Sequence, residues 1–330
     1  MQLAPSQTPM TIDSGAAASR TEFTVGALPY WWPRPALLAF YAEVADSAAH
    51  CVVLGETVCS RRTEMKPGDW LALARELRDS GKEVVLATLP LLSSEAEWRA
   101  VRELAGQEEF LLEAGDASAL QALEQAGEQR GRLPRFVIGP HLNIYNGDAL
   151  REHAALGAVR WVAPVELAAT AIGRVNPQHA RVRGPHGEIA TEAWGFGRLP
   201  LALSARCFTA RHHRLRKDAC EFRCRDDADG LRLDSTEGQA FLCINGTQIQ
   251  SAGLHAVLGP WPELHAAGVG RLRLSPCSQG FFEVLRSFDA VCNDGADAAD
   301  ALRHLRGLDL PGPLVDGYAK GAAGMASAID

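Results

Sequence analysis

The 330-residue sequence lacks several motifs that would assign a function directly. It contains no Gly-x-Gly-x-x-Gly and no Gly-x-x-x-x-Gly-Lys-Ser/Thr, so neither motif indicates a dinucleotide or nucleoside triphosphate site. It also lacks His-Glu-x-x-His, the helical motif of zinc peptidases. No apolar run approaches the roughly 20 residues that cross a bilayer. Residues 1–20 lack the apolar segment of a secretory signal, and we therefore expect a cytoplasmic protein.

The chain has fewer basic than acidic side chains. The chain has 33 Lys and Arg against 40 Asp and Glu, which gives a formal net charge of −7. Such a balance provides no overall basic field for attracting nucleic acid. Hydrophobic residues make up 47% of the chain and charged residues 22%, which is typical of a soluble globular enzyme. The eight cysteines are too few for a disulfide scaffold of this length. In a reducing compartment, clustered cysteines indicate metal binding or catalysis.

Short, continuously apolar segments alternate with helical patterns over the first half of the chain. Strands are predicted at residues 23–28, 51–55, 84–87, 110–113, 135–139 and 159–163. Between them lie patterns for helices near residues 35–45, 66–78, 94–104, 146–156 and 164–172, and a further helix is predicted to begin at residue 116. This alternation is typical of a parallel sheet that is buried on both faces.

The pattern changes after residue 185 and then returns. Extended segments are predicted through residue 203 and at 241–244, and they are followed by a helix near 254–267, a strand at 272–274 and a final helix at 281–291. About eight such units predict a (β/α)8-like barrel with a cysteine-bearing insertion near residues 185–250. A doubly wound open sheet is the alternative. We expect residues 1–21 to form a disordered tail and residues 22–330 to form one domain.

Four cysteines lie in loops that follow predicted strands. Cys59 comes just after the second strand, and Cys207, Cys220 and Cys224 follow residues 199–203 in a C-x12-C-x3-C pattern. Since loops after the strands of a barrel share one rim, we expect these four thiols to converge. Four thiolates bind either an iron–sulfur cluster or a structural zinc ion. The isolated Cys59 and the 12-residue gap favour the cluster, with zinc and no metal at all as alternatives.

The remaining four cysteines have other interpretations. Cys51 and Cys243 lie within strand patterns and Cys292 follows an apolar helix face, so core packing is favoured for all three. Cys277 lies at the predicted rim after the last strand and could replace one of the four ligands.

Other polar and aromatic residues are predicted at the same rim. Residues 30–32 (Tyr-Trp-Trp) either cover the barrel end or stack on a substrate, while Glu56 and residues 141–143 (His-Leu-Asn) offer acid or base groups. His212 and His213 are expected to face solvent. Basic residues accompany both cysteine loops, namely Arg61, Arg62, Arg206, Arg211, Arg214, Arg216 and Lys217. They form either a solvated surface or an environment that stabilises a negatively charged cluster and attracts an anionic substrate.

Two long segments carry a family resemblance. Residues 54–62 (Leu-Gly-Glu-Thr-Val-Cys-Ser-Arg-Arg) and residues 196–211 (Phe-Gly-Arg-Leu-Pro-Leu-Ala-Leu-Ser-Ala-Arg-Cys-Phe-Thr-Ala-Arg) resemble the UbiV family of the collagenase-like peptidase superfamily. The resemblance extends over roughly residues 22–325 and includes 245–248 and 316–318. It implies a [4Fe-4S] cluster whose ligands are Cys59, Cys207, Cys220 and Cys224.

The resemblance also implies a function and partners. Members of this family act in O2-independent ubiquinone biosynthesis, as a heterodimer with a UbiU-like subunit that hydroxylates the ring precursor. A UbiT-like lipid carrier belongs to the same route, and prephenate is the implied anionic oxygen donor. Ligation of every cluster corner by a thiolate favours electron transfer, and no catalytic residue is assigned.

Three alternatives remain on the sequence alone. An RNA-base hydroxylase of the same superfamily would need more basic surface than a net charge of −7 provides. The chain could instead be a non-catalytic, metal-stabilised scaffold for its partner. A peptidase is disfavoured because Pro200 stands where the superfamily's peptidase signature carries a cysteine.

Overall fold

The computed structural model describes residues 20–328, and residues 1–19, most of the predicted tail, lie outside that range. In chain order the strands of this part are β1 (Glu22–Val25), β2 (Cys51–Leu54), β3 (Glu83–Ala87), β4 (Leu111–Ala114), β5 (Phe136–Ile138), β6 (Ala158–Val162), β7 (Arg183–Gly184), β8 (Gly187–Glu188), β9 (Ala190–Leu203), β10 (Leu231–Asp234), β11 (Ala240–Asn245), β12 (Gln248–Ala256), β13 (Arg271–Leu274) and β14 (Leu314–Val315). The α-helices are α1 (Arg34–Ala45), α2 (Pro67–Asp79), α3 (Glu95–Gly106), α4 (Ala117–Arg130), α5 (Gly147–Ala155), α6 (Ala169–Val175), α7 (Phe208–His212), α8 (Trp261–Ala266), α9 (Phe281–Asp294) and α10 (Ala298–Arg306).

Eight parallel strands close into a barrel. The order around the ring is β1, β2, β3, β4, β5, β6, β9 and β13, and β13 pairs again with β1. Strand β9 completes the ring because it pairs in parallel with β6 on one side and with β13 on the other. The predicted (β/α)8 barrel is therefore confirmed, and the open doubly wound sheet is wrong. Among residues 20–328 no helix is long and apolar enough to cross a membrane.

Strand β9 continues past the barrel and carries a second sheet. Its last residues pair antiparallel with β12. In this second sheet β12 pairs with β11 and β11 pairs with β10, while β14 runs parallel to β12. The ladder between β9 and β13 shifts register at Gly195, and at Gly197, just beyond it, a Cβ would lie only 2.6 Å from the Cβ of Ser275. With φ at 109°, Gly197 also adopts a backbone conformation that favours glycine. This residue therefore lets the strand leave the ring.

Three predicted boundaries differ from the structure. The helix predicted over residues 254–267 is wrong at its start, because β12 extends to Ala256 through pairing with β9 and β14, and α8 begins only at Trp261. The helix predicted from residue 164 begins at Ala169. The cysteine-bearing insertion begins after Leu203 rather than near 185, because residues 190–203 form the seventh barrel strand.

The barrel interior combines a small apolar cluster with buried charges. Cys51 and Val53 of β2 point inward with Val85, Val137 and Val162, whereas the alternate residues of these strands pack outward against the helices. Beside this cluster lies a chain of ion pairs between strands. Its members are Arg160, Glu192, Arg273 and Glu113, each at most 5% exposed.

Arg273 is at the centre of this buried ion network. Its Nε donates to Glu192 at 2.6 Å, and its Nη1 donates to Glu113 at 2.9 Å. Burial by itself raises the pKa of Glu192, but the guanidinium groups of Arg273 and Arg160 outweigh burial and hold that pKa below its ordinary value. The network thus keeps buried carboxylates ionised and pins β4, β9 and β13 together.

Removing the central cation leaves Glu113 without its ion-pair partner and Glu192 with Arg160 alone. We expect Arg273→Met to lower the free energy of unfolding by about 3–5 kcal/mol, because it leaves uncompensated buried charge. Urea unfolding at neutral pH measures the loss. The matched control is Arg303→Met, which removes an exposed pair with Asp300 and should cost less than about 1 kcal/mol. Equal losses in the two variants would contradict a dominant role for the network.

His255 makes stability depend on pH. Burial on β12, where it is 3% exposed, lowers the pKa of His255 to about 4, against roughly 6.5 in an unfolded chain. The unfolded chain therefore binds the proton first, and stability is lost as pH falls from about 6.5 to about 4. We expect His255→Gln to reduce this loss by about 3 kcal/mol in urea unfolding across that range. His179→Gln controls for loss of an exposed histidine, and an unchanged slope in His255→Gln would refute the assignment.

Candidate functional site

The Cys59 loop leaves the C-terminal end of β2 in a tight turn. Gly55 has φ 128°, and a Cβ there would lie 2.8 Å from the carbonyl oxygen of Ala87 on the next strand, so only glycine fits. Glu56 then folds back over the loop, and its Oε1 accepts hydrogen bonds from the backbone N–H of Val58 (2.8 Å) and of Cys59 (2.9 Å). Burial raises the pKa of Glu56, and nearby Arg62 and these N–H groups oppose the rise. Glu56 thus shapes the turn that carries Cys59.

Arg62 fastens this turn to two other loops. Its guanidinium is buried, and it donates to the carbonyl oxygen of Pro29 at 2.5 Å and to Oδ1 of Asn245 at 2.7 Å. Asn245 in turn donates to Pro29, and Thr247 donates to the carbonyl oxygen of Val58 at 2.5 Å. The loop after β1, the Cys59 loop and the hairpin between β11 and β12 therefore form one hydrogen-bonded unit.

Cys207 joins the same unit from the end of β9. It is buried at the N-terminus of α7, where its Sγ lies 3.4 Å from the backbone N–H of Ala210. The helix is attached to the hairpin at Gly246, whose carbonyl accepts from Phe208 N–H at 2.8 Å and whose N–H donates to Thr209 Oγ1 at 3.0 Å. The hairpin thus holds Cys207 on the rim that carries Cys59.

Cys220 contacts the Cys59 loop directly. Arg61, two residues after Cys59, places its Nη1 3.6 Å from Cys220 Sγ and donates from Nη2 to the carbonyl oxygen of Asp218 at 3.0 Å. The backbone at Cys220 is right-handed helical, and the next residue, Glu221, has φ 52°. A right-handed residue followed by a left-handed one turns successive N–H groups toward one point, the arrangement of many anion and iron–sulfur sites.

Cys224 completes the group. Burial raises the pKa of its thiol, Arg62 opposes the rise through its charge and a hydrogen bond, and the neighbouring Cys207 and Cys220 raise it further. Burial likewise raises the pKa of Cys59, against the charge of Arg62. Arg62 therefore acts on thiols from both cysteine segments. Arg61 and Arg62 of the Cys59 loop thus act on Cys220 and Cys224, and the hairpin between β11 and β12 holds both the Cys59 loop and the helix that begins at Cys207.

Aromatic side chains cover this group of cysteines. Trp31, from the loop after β1, meets Phe222 edge to face with ring centroids 4.9 Å apart. The guanidinium of Arg225 lies 4.1 Å from the centroid of Trp31, and that of Arg61 lies 5.3 Å from Phe222. All three residues from 30 to 32 are buried, as expected for a cover over the barrel end. These contacts pack the short segment 220–225, which contains few apolar side chains that could form a core.

The donor set, four thiols with nearby cations, is chemically suited to an iron–sulfur cluster. Within residues 20–328 no three His, Cys, Asp or Glu side chains lie close enough together to bind one metal ion. An iron–sulfur cluster spreads its thiolates over separate irons and carries negative charge. The cations Arg61 and Arg62 and the turned N–H groups at Cys220 suit such a group.

Several predicted rim residues take no part in this group. Arg206, Arg211, Arg214 and Arg216 are exposed, which favours the solvated-surface interpretation for them. His213 corrects the expectation of solvent exposure: it is half-buried, and its Nε2 is shielded from solvent without a hydrogen-bond partner within residues 20–328. His212 is exposed as expected.

His141 lies at the barrel mouth instead. Burial, with a smaller effect from Arg273, lowers its pKa to about 4. The mouth cavity that it lines holds only about 40 Å³ of free space, far below a usual small-molecule site of about 300–1,000 Å³. The buried ion network lies beneath it. Sequence analysis missed that network, and the isolated arginines within the apolar strands at 160 and 273 were the available signal.

The other four cysteines are packed within the protein core or at its edge. Cys51 and Cys243 are fully buried within β2 and β11, and Cys292 packs at the edge of the main core. Cys277 is also buried, and its Sγ lies 3.1 Å from the carbonyl oxygen of Gln279. Burial raises the pKa of Cys277 to about 12, so it is a neutral thiol at ordinary pH.

Fold and sequence together define a barrel protein of a known family. The family model for peptidase family U32 matches residues 38–291, and the chain belongs to that family. Among solved structures it is similar to the U32 peptidase Mk0906, with 11% identity over 82% of this chain and 97% of that one and a TM-score of 0.43. It is also similar to the homocysteine methyltransferase MmuM from Escherichia coli, with 12% identity over 82% and 96% of the two chains and a TM-score of 0.35.

Removal of the Thr247 hydroxyl tests the hydrogen-bonded unit that the three loops form. Thr247→Val keeps the side-chain shape but removes the donor to the carbonyl oxygen of Val58. We expect the free energy of local opening of residues 56–62 to fall by about 1–2 kcal/mol, which hydrogen-exchange mass spectrometry would detect as faster exchange. Thr236→Val is the control, because the Thr236 hydroxyl bonds only exposed Glu237. Unchanged exchange in Thr247→Val would contradict the unit.

Proposed function

We propose that this protein is the iron–sulfur subunit of an oxygen-independent hydroxylase that acts on ubiquinone ring precursors. The observation that carries the proposal is the contact of Arg61 and Arg62, which follow Cys59, with the segment of Cys220 and Cys224, beside the hairpin that also holds the Cys207 helix. Membership in family U32 and the resemblance of residues 54–62 and 196–211 to the UbiV family support the same assignment. The four thiolates are the proposed ligands of a [4Fe-4S] cluster.

The residues around the cysteines suit this role. A bound cluster would supply one-electron transfer. Arg61 and Arg62 place positive charge beside these cysteines, and Arg62 opposes the rise that burial causes in the pKa of Cys59 and of Cys224. Trp31 and Phe222 limit the access of water from above, and Glu56 fixes the backbone of Cys59 through two N–H groups. These groups bind and orient, and we assign none of them a proton-transfer role.

The proposed assembly includes a partner. A UbiU-like subunit would complete the heterodimer, and a UbiT-like lipid carrier would deliver the apolar precursor. Prephenate is the proposed anionic oxygen donor. The exposed arginines near Cys207, such as Arg206 and Arg211, supply local positive charge that would draw an anion despite the net charge of −7.

The family name does not by itself argue for peptidase activity. The chain has no His-Glu-x-x-His motif, which zinc peptidases use to bind their metal. Fold and ancestry do not determine which reaction a protein catalyses, so the activity has to be argued from the residues of the site. Here the site is a group of thiols under an aromatic cover.

Anaerobic purification with iron and sulfide analysis tests the proposal. We expect about four irons and four sulfides per chain, with an absorption band near 400 nm that dithionite bleaches. Cys59→Ala, Cys207→Ala, Cys220→Ala and Cys224→Ala should each lose most of the iron. Cys292→Ala is the matched control, because this thiol packs against the core far from the rim, and it should keep the wild-type iron content.

Two outcomes would overturn the proposal. Purification of a colourless protein that contains zinc would show that a structural zinc ion, and not a cluster, occupies the site. Full iron retention in Cys59→Ala would remove Cys59 from the ligand set. If the cluster is present, the hydroxylase role is tested by adding a UbiU-like subunit, prephenate and a ring precursor under anaerobic conditions, and absence of a hydroxylated product would refute that role.

A further inference from the structure

A second cavity opens beside the cysteine loops, on the outside of the barrel. It lies between α2 and α3, over the outer faces of β2 and β3, and has a volume of about 350 Å³, which falls within the usual range for small-molecule sites of about 300–1,000 Å³. Its walls are mainly apolar and include Leu54, Met65, Trp70, Leu71, Val101 and Leu104. We call it the α2/α3 cleft.

The α2/α3 cleft ends at Glu56, the residue that shapes the Cys59 turn. The Glu56 side chain retains 23% of its exposure, although its backbone neighbours are packed. Its Oε1 is fully engaged by two backbone N–H groups, with Arg62 3.8 Å away. Between residues 20 and 328 no side chain donates a hydrogen bond to its Oε2, and the backbone N–H groups that act on this carboxylate are those of Thr57, Val58 and Cys59. A carboxylate oxygen thus remains available at the inner end of an apolar cavity.

Apart from the exposed Glu103, the other polar side chains along the cleft already have partners. Arg62 is satisfied at both Nη atoms by Pro29 and Asn245. Glu97 uses one oxygen for Ser60, which donates at 2.5 Å, and the other for the backbone N–H of residue 93. The amide of Gln107 bonds the backbone of residues 109 and 110. Among the half-buried groups in this part of the chain, Glu56 Oε2 is the acceptor left for a ligand.

We infer that the α2/α3 cleft binds a neutral, largely apolar molecule that carries a hydroxyl group, and that this hydroxyl donates a hydrogen bond to Glu56 Oε2. A neutral ligand fits because Arg62, 3.8 Å away, already offsets the charge of Glu56, and Glu103, the other lining acid without a partner among the described residues, is exposed to solvent. A hydroxyl fits because the open group is an acceptor. A buried bond to a carboxylate is stronger than one between neutral groups.

The position of Glu56 links the cleft to the cysteines. The same carboxylate that faces the cleft accepts the N–H of Cys59 through its other oxygen. A bound hydroxyl would therefore lie one side chain away from the Cys59 turn. The binding inference rests on the cleft alone and does not require a cluster, so iron content and ligand affinity are separate measurements.

Calorimetric titration with a matched pair of probes tests the inference. The probes are 2-naphthol and 2-methoxynaphthalene at pH 8, which share an apolar body but differ in the ability to donate a hydrogen bond. We expect 2-naphthol to bind at least about tenfold more tightly, the effect of one charge-assisted hydrogen bond. Equal affinities would overturn the assignment of Glu56 Oε2, and no binding of 2-naphthol would overturn the site.

Two variants on α3 locate the binding. Ala100 is exposed and lines the cleft, so Ala100→Trp should close the cavity and weaken 2-naphthol binding at least about tenfold while leaving the core in place. Arg99→Trp adds the same bulk at the neighbouring exposed position outside the lining and should bind as wild type. Unweakened binding to Ala100→Trp would place the probe elsewhere. Circular dichroism confirms that both variants are folded.

Discussion

Closure of the barrel by β9 is the constraint from which the rest of the site follows. This strand pairs with β6 and β13 at once, so the loops that follow all eight parallel strands meet at one rim. Cys59 and Cys207 come from loops that are distant in sequence, and only a closed ring brings them to the same place. The continuation of β9 toward β12 then supplies the hairpin that fastens both loops.

Because of the ion network, opening the closed ring would cost considerable free energy. The network also gives the barrel interior an unusual composition. Barrel interiors are commonly filled by branched apolar residues, yet here Arg160 and Arg273 from two strands share Glu192 from β9 itself. Removing either neighbour of β9 would therefore leave Glu192, which is fully buried, with an incomplete set of partners. Charge pairing at these positions specifies which strands are neighbours, whereas apolar side chains would accept several arrangements.

The sequence predicts the barrel well because the barrel depends on local pattern, and the same pattern puts Cys59 and Cys207 after strand ends, where the structure has them. Apolar runs such as residues 51–55 and 84–87 mark buried parallel strands, and a cysteine just after a strand must lie at the rim. The ion network was not predicted, because an arginine in a strand carries no sign of which carboxylate it will meet. The segment 254–256 was assigned to a helix because its partners β9 and β14 are remote in sequence. Pairing across such distances decides the structure, and local propensity does not report it.

Glu56 shows why a rim residue is difficult to interpret from sequence. Its place after β2 suggests an acid or base, but one oxygen is committed to the backbone of the Cys59 turn. A group held in this way cannot move a proton through that oxygen without releasing the loop. The second oxygen faces the α2/α3 cleft and has no such commitment. One carboxylate can therefore hold the Cys59 backbone and recognise a ligand at the same time, and occupation of the cleft would stabilise the turn that presents Cys59, since a ligand that binds the folded loop favours that conformation.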